Sequence, residues 1–224
     1  MPGSTRDEFL GRVRRATAQP VAPHQHDSGI VSHEAGRFPV DAPLADIFEE
    51  RATAAAMHIH RVDSDGKVAT AIAEVAATEG ISRLTIQASI IDRYGISSND
   101  LLVVEPWDAS TAADEQRERA FGMECGVTDV DCAIAETGSL VLAGTSDRGR
   151  SLSLLGRVHI AVVREDQIIA DLYDLVPRLQ ELFPDGMPPN VNVITGPSKT
   201  ADIELSLVVG VHGPGVVHII MVAS

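Results

Sequence analysis

The sequence predicts an α/β protein, a three-layer α/β/α sandwich on a mixed, mostly parallel sheet. Short apolar strand-like runs alternate with amphipathic segments of helical length, which implies parallel crossovers and a sheet covered on both faces. The exception is "DCAIAETGSLVLAG", where two apolar runs flank Glu136-Thr137-Gly138. That spacing predicts adjacent strands with some antiparallel pairing. At 224 residues the chain can bury a substantial core, and its 44% hydrophobic content is that of a globular protein.

Residues 4 to 16 read as a short helix, with Ser4 and Asp7 or Thr5 and Glu8 as its cap-and-acid start and Phe9, Leu10 and Val13 as its apolar stripe. From Pro20 to Pro43 the composition turns to Pro, His, Gly and Ser, so residues 1–43 form a helix and an irregular arm. Residues 44–224 form one α/β domain. Leu44, Ile47, Phe48 and "ATAAA" predict a helix, "MHIHRV" a strand, and "GKVATAIAEVAATEG" a helix closed by Gly80. "RLTIQAS" and "LLVVEP" are strands, with a short element around Ile91–Tyr94 between them, and Thr111 to Met123 is helical. "RVHIAVV" is a strand. "DQIIADLYDLVPRLQELF" is a helix that Pro177 should kink or divide. "VNVITGPSKTADIELSLVVGVHGPGVVHII" then reads as strand, helix, turn and strand.

Composition excludes several functions. A formal charge of −14 with aromatics at 4% opposes a phosphate backbone and offers few stacking platforms, so nucleic acid is not an expected partner. No apolar run approaches the roughly 20 residues of a membrane span, and the N-terminus lacks a secretory apolar core, so the expected location is cytoplasmic. Cys125 and Cys132 are the only cysteines, too far apart for a CxxC pair and too few for a four-thiolate cluster. No resident cofactor or metal is expected. The dinucleotide fingerprint, the Walker spacing and the nucleophile elbow are absent from the sequence.

Two segments carry candidate chemistry. In "VNVITGPSKTADIE" a strand breaks at Gly196-Pro197 into an expected helix start. Thr195, Ser198, Lys199 and Thr200 there could hold a small carboxylate or phosphate beside free backbone N–H groups. The same residues, with Asp202 and Glu204 in the first turn, could equally form a capped structural turn. In "AETGS", Glu136 at a strand end, followed by Thr137 and Gly138, could serve as nucleophile or base, or simply close a turn. His212, between Gly210 and Gly213, could approach a ligand or shape its turn. His58 and His60 alternate on one strand face, as solvated or hydrogen-bonded residues. His159 and His218 read as core histidines.

Together "DCAIAETGSLVL", "RVHIAVV", "ITGPSKTADIE" and "GVHGPGVVHII" resemble the LUD-domain family, and within it the lactate utilization protein C group. The resemblance covers Val127 to Val222, with the motifs in the family's order. It implies a fold of the sugar-phosphate isomerase and CoA-transferase (NagB/RpiA) type. It also implies an accessory role in oxidising L-lactate to pyruvate, beside A-type and B-type partners that carry the iron–sulfur clusters. Gly215 departs from the family pattern, in which a basic residue often follows His-Gly-Pro. The fold alone suggests two other roles: an enzyme acting on a small acyl-CoA or phosphorylated metabolite through Glu136, or a regulatory carboxylate-binding module. The polar cluster would then wall a site at the carboxyl edge of the sheet, facing "AETGS".

Overall fold

The computed structural model describes residues 6–18, 38–39, 41–107, 110–145, 148–201, 207–210 and 213–224. Helix α1 (Arg6–Ala18) belongs to an N-terminal unit distinct from that formed by residues 37 onward. The expected caps of α1 and almost all of the Pro/His-rich arm lie outside the described residues.

The larger unit is built on six parallel strands in the order β1 (His58–Val62), β12 (Val216–Val222), β7 (Val158–Arg164), β4 (Cys125–Asp129), β2 (Arg83–Ile86) and β3 (Val103–Pro106). Alternation sorts each strand's side chains between two cores. On one face Val158, Ile160 and Val162 of β7 meet Val68, Ile72 and Val75 of α3 (Val68–Thr78) and Ile90 of α4 (Ala88–Tyr94). On the other, Ala161 and Val163 meet Phe48 and Ala52 of α2 (Leu44–Ala54).

The antiparallel pairing predicted around Glu136 occurs, but in a second sheet rather than in the main one. There β5 (Cys132–Ile134) lies between β8 (Ile168–Ile169), parallel, and β6 (Ser139–Ala143), antiparallel; β9 (Val191–Ile194) completes the sheet beside β6. One face of this sheet packs with α2 on the main sheet, and the other carries Leu179 of α7 (Leu175–Leu182). Short helices α5 (Ala113–Phe121) and α6 (Ser151–Leu154) precede β4 and β7.

Three expectations fail for physical reasons. The segment "DQIIADLYDLVPRLQELF" is not one long helix: Ile168–Ile169 pair as β8, and α7 begins only at Leu175. Pro177 therefore sits in the first turn of α7, where its missing N–H costs no intrahelical bond, and it neither kinks nor divides the helix. The expected helix after Gly196-Pro197 is a hairpin, β10 (Lys199–Ala201) paired with β11 (Leu207–Val209), whose register joins Lys199 to Val209. Finally β4, at the centre of the sheet, escapes notice because "CGVTD" shows little strand-like apolar patterning. Its Gly126 is required by packing: a Cβ there would stand 1.8 Å from the Leu152 carbonyl oxygen of α6.

Candidate functional site

The sequence motifs gather at the amino edge of the parallel sheet, not at the carboxyl edge where they were expected. Gly138, in the β5–β6 turn with φ +64°, lies against the backbone of Ala52, and Gly196, with φ +90°, against the carbonyl of Ala55. Both contacts are with the end of α2, just before β1 begins. A side chain at either glycine would strain the backbone and collide with α2, so these two positions have a sufficient packing reason. Between them runs a chain of hydroxyls. Thr137 Oγ1 is 2.6 Å from Ser139 Oγ, which is 2.7 Å from Thr195 Oγ1. Thr137 and Thr195 thus meet as the motif reading expects, through Ser139, a buried residue that the reading passed over.

Glu136 is exposed, its backbone N–H donating to the Ala170 carbonyl, so the enzymatic role considered for it rests on fold analogy. Ser198 is held to the turn before β12, its N–H donating to the Pro214 carbonyl at 2.8 Å. Lys199 is exposed on β10, and the backbone of Thr200 continues that strand. Without a helix start at this point, the proposed cradle of free N–H groups does not form around Lys199. Asp202, Glu204 and His212 lie outside the described residues.

The histidines divide as the strand alternation dictates. His58 and His218 are register partners in β1 and β12, with ring centroids 4.9 Å apart, and His60 Nε2 lies 3.0 Å from His218 Nδ1. The far nitrogen of His218 faces Glu79 Oε1 at 3.3 Å, and Glu79 in turn pairs with Arg157. Burial lowers the pKa of both His60 and His218, against the opposing pull of Glu74 on His60 and of Glu79 on His218. His159 is fully buried; its Nε2 bonds Thr128 Oγ1 at 2.9 Å, and burial pushes its pKa down to about 4. Among the described residues, no three His, Cys, Asp or Glu side chains are placed to hold a metal ion.

A second constellation, not singled out from the sequence, stands at the carboxyl edge. From β2 the chain moves outward to β3 and then returns to β4 on the opposite side, so the strand order reverses between β2 and β4. Such switch points are where open α/β sheets hold ligands. Gln87 follows β2 and accepts the Asp129 N–H at 3.3 Å, while Trp107 follows β3 and donates its backbone N–H to Ile86 at 2.7 Å.

Arg148 is buried beside this crevice. Its guanidinium donates to Asp129 Oδ1 at 2.6 Å, to Asp131 Oδ2 and, through Nε, to the Ala143 carbonyl at 3.0 Å. Asp131 also accepts the Ala143 N–H at 2.6 Å, which ties the end of β6 to the end of β4. Burial raises the pKa of Asp129 even though Arg148 works against the rise. The sequence signal for this assembly was Asp-Val-Asp at 129–131 and Arg-Gly-Arg at 148–150, opposite charges at two strand ends. Between α5 and α6 a groove of about 470 Å³ opens beside it, lined by Trp107, Arg117 and Arg150.

Comparison with known proteins places this architecture. The chain is 40% identical over 130 residues to lactate utilization protein C of Bacillus licheniformis, a match covering 54% of each chain. It thus spans about half the length of that relative, and likewise of the proteins of that name from Shouchella clausii and an Exiguobacterium species. Over 218 residues it is 30% identical to the protein YkgG of Escherichia coli, covering 93% of this chain and 94% of that one. A crystal structure of a DUF162 family protein from Deinococcus radiodurans superposes with a TM-score of 0.60 at 25% identity, over 80% of this chain and 96% of the other. The LUD domain matches residues 45–222, which include all three sheets and both edges of the largest, and the chain belongs to the LUD-domain family.

Proposed function

We propose that the chain serves lactate utilization, the oxidation of L-lactate to pyruvate, as an accessory subunit without a redox centre of its own. Its partners would be A-type and B-type iron–sulfur proteins of the same system, working with it in the cytoplasm. The observation that carries this reading is the near full-length match to lactate utilization protein C of Bacillus velezensis. It is 29% identical over 216 residues, 92% of this chain and 88% of that one.

The chemistry of the two cysteines supports the division of labour. Cys125 and Cys132 are both free and buried, and burial pushes their thiols up to about 12 and about 11. Cluster iron takes thiolate, and these two side chains hold their protons well above neutral pH. Two such thiols could not complete a four-thiolate site in any case, so cluster-borne electrons would travel on another polypeptide. No helix among the described residues is long and apolar enough to cross a membrane.

The test is affinity purification of the tagged full chain from cells grown on L-lactate, with iron and acid-labile sulfide measured in the eluate. Co-elution of cysteine-rich iron–sulfur proteins, together with a growth defect on lactate after deletion, is the expected result. Normal growth and an eluate without such partners would refute the reading.

A further inference from the structure

The geometry points to the groove between α5 and α6 as a binding site for a small organic anion of the nucleotide class, an aromatic ring joined to a phosphate. The inference is independent of the lactate reading and stands on the carboxyl edge alone.

Charge supplies the first argument. In a chain of net charge −14, most basic side chains around the parallel sheet are committed to carboxylates: Arg61, Arg83, Arg119, Arg148, Arg157 and Arg164 all sit in ion pairs. Arg117 and Arg150 line the groove from opposite walls, α5 and the start of α6, and neither is in an ion pair with a described residue. Two guanidinium groups facing one hollow suit a phosphate, which can accept from both.

Shape supplies the second. The groove of about 470 Å³ lies within the range of small-ligand sites, and Leu154, Leu155 and Ala120 give it an apolar side. Trp107 lines it as well, packed so closely on Gly149 that a Cβ there would fall 2.2 Å from its Cζ2. An indole fixed in this way offers a ring face to a flat ligand at little entropic cost. Arg150 also borders a second hollow of about 570 Å³, where the buried Oδ1 of Asn190 has no hydrogen-bond partner. A ligand extending past Arg150 could supply the donor that Asn190 lacks, as a ribose hydroxyl would. Position supplies the third: Trp107, whose backbone N–H is bonded to the Ile86 carbonyl at the end of β2, brings one end of this groove to the switch point, and Arg148 borders the adjoining second hollow.

Trp107 is the only tryptophan in the chain, so its fluorescence reports this groove and nothing else. The full-length protein is titrated with adenosine 5′-monophosphate, adenosine, inorganic phosphate and L-lactate, exciting near the red edge to avoid the base. A saturable change with the monophosphate is expected, with adenosine and inorganic phosphate each at least roughly tenfold weaker, since each keeps only half of the contacts. The double variant Arg117→Ala/Arg150→Ala should weaken the monophosphate by a similar factor at unchanged melting temperature, both side chains being exposed. Arg117→Lys/Arg150→Lys, which keeps the charges, should restore part of it. No saturable response, equal binding of adenosine, tighter binding of lactate, or undiminished affinity in the Ala double variant would each overturn the proposal.

Discussion

The two edges of the parallel sheet are built by different means. At the amino edge, motifs remote in sequence are brought together: Gly138 and Gly196 let two turns press against the end of α2, and Thr137, Ser139 and Thr195, with Ser139 and Thr195 56 residues apart, join those turns by hydroxyls beside the β6–β9 pairing. At the carboxyl edge, residues within 19 positions of one another meet around one cation, with Arg148 binding the end of β4 to the end of β6. Neutral hydrogen bonds of the first kind contribute about 1 kcal/mol each, whereas a buried charge left without its partner costs several times that. The edge with the more conspicuous sequence is therefore held by the smaller energies at each contact.

The sharpest way to break this contrast is Arg148→Met. Removing the guanidinium leaves Asp131 and the more exposed Asp129 without a counter-charge, and leaves the Ala143 carbonyl without its side-chain donor. The expected loss is about 3–4 kcal/mol of unfolding free energy, read from urea denaturation at pH 7. Adding Asp129→Asn and Asp131→Asn to the same chain should recover part of it, because the variant then carries no unpaired charge. A loss below about 1 kcal/mol would mean that the cation is solvated and that the carboxyl edge is no stiffer than the amino edge.

Acid should weaken the protein mainly through the buried histidine of β7. His159 has a folded pKa of about 4 against an ordinary 6.5, so the unfolded chain binds the extra proton between those values. Stability is complete above pH 6.5 and falls as pH drops toward 4, by at most about 1.4 kcal/mol per unit and about 3 kcal/mol in all. His60 and His218, whose values are also lowered, act in the same direction below pH 6.5. The variant His159→Asn should show a shallower decline between pH 6.5 and 4.5 in thermal melts. An unchanged slope would assign the acid sensitivity to His60 and His218.

Much of the fold was legible because local pattern carries it. The β5–β6 pair, α2, α3 and most strands of the parallel sheet follow from apolar periodicity that one segment displays on its own. What escaped depends on contacts between segments, which no single segment displays on its own. The residue sequence of β4 looks unlike a strand until α6 is laid on Gly126. The segment at Lys199 offers Ser, Thr, Asp and Glu in an order that suits a helix cap, yet its backbone pairs with Leu207–Val209 instead. Tertiary pairing overrides propensity there. The same limit explains the site. "AETGS" and "ITGPS" were visible as motifs and do meet, whereas Arg148, Asp129, Trp107 and Arg150 form a constellation only after the strand order is known.

Two glycine substitutions compare a contact inside the parallel sheet with one at its amino edge at equal chemical cost, one added methyl. Gly126→Ala drives a Cβ into the Leu152 carbonyl, and Gly138→Ala drives one to 2.3 Å from the Ala52 nitrogen at a positive φ. Each should cost about 1–3 kcal/mol in chemical denaturation. The second should also loosen the hydroxyl chain, seen as faster amide exchange at Ser139 and Thr195 and not at Arg148. Exchange that quickens at both places in either variant would show that the edges are coupled.

The smallest effect is expected at Lys199, and its smallness is informative. Were this residue at a helix start with free N–H groups around it, replacing it would weaken anion binding and relieve repulsion with the helix dipole. It instead lies exposed on β10, whose backbone is joined to β11, so neither consequence applies. Lys199→Ala should leave unfolding free energy within about 0.5 kcal/mol of the parent, as exposed substitutions away from caps and buried charges do. Calorimetric titration with phosphate and lactate should likewise give the same heats for the two proteins. A clear loss of anion binding on Lys199→Ala would restore a site at the amino edge, and would mean that a polar cluster between two strands can hold a ligand without any helix to present it.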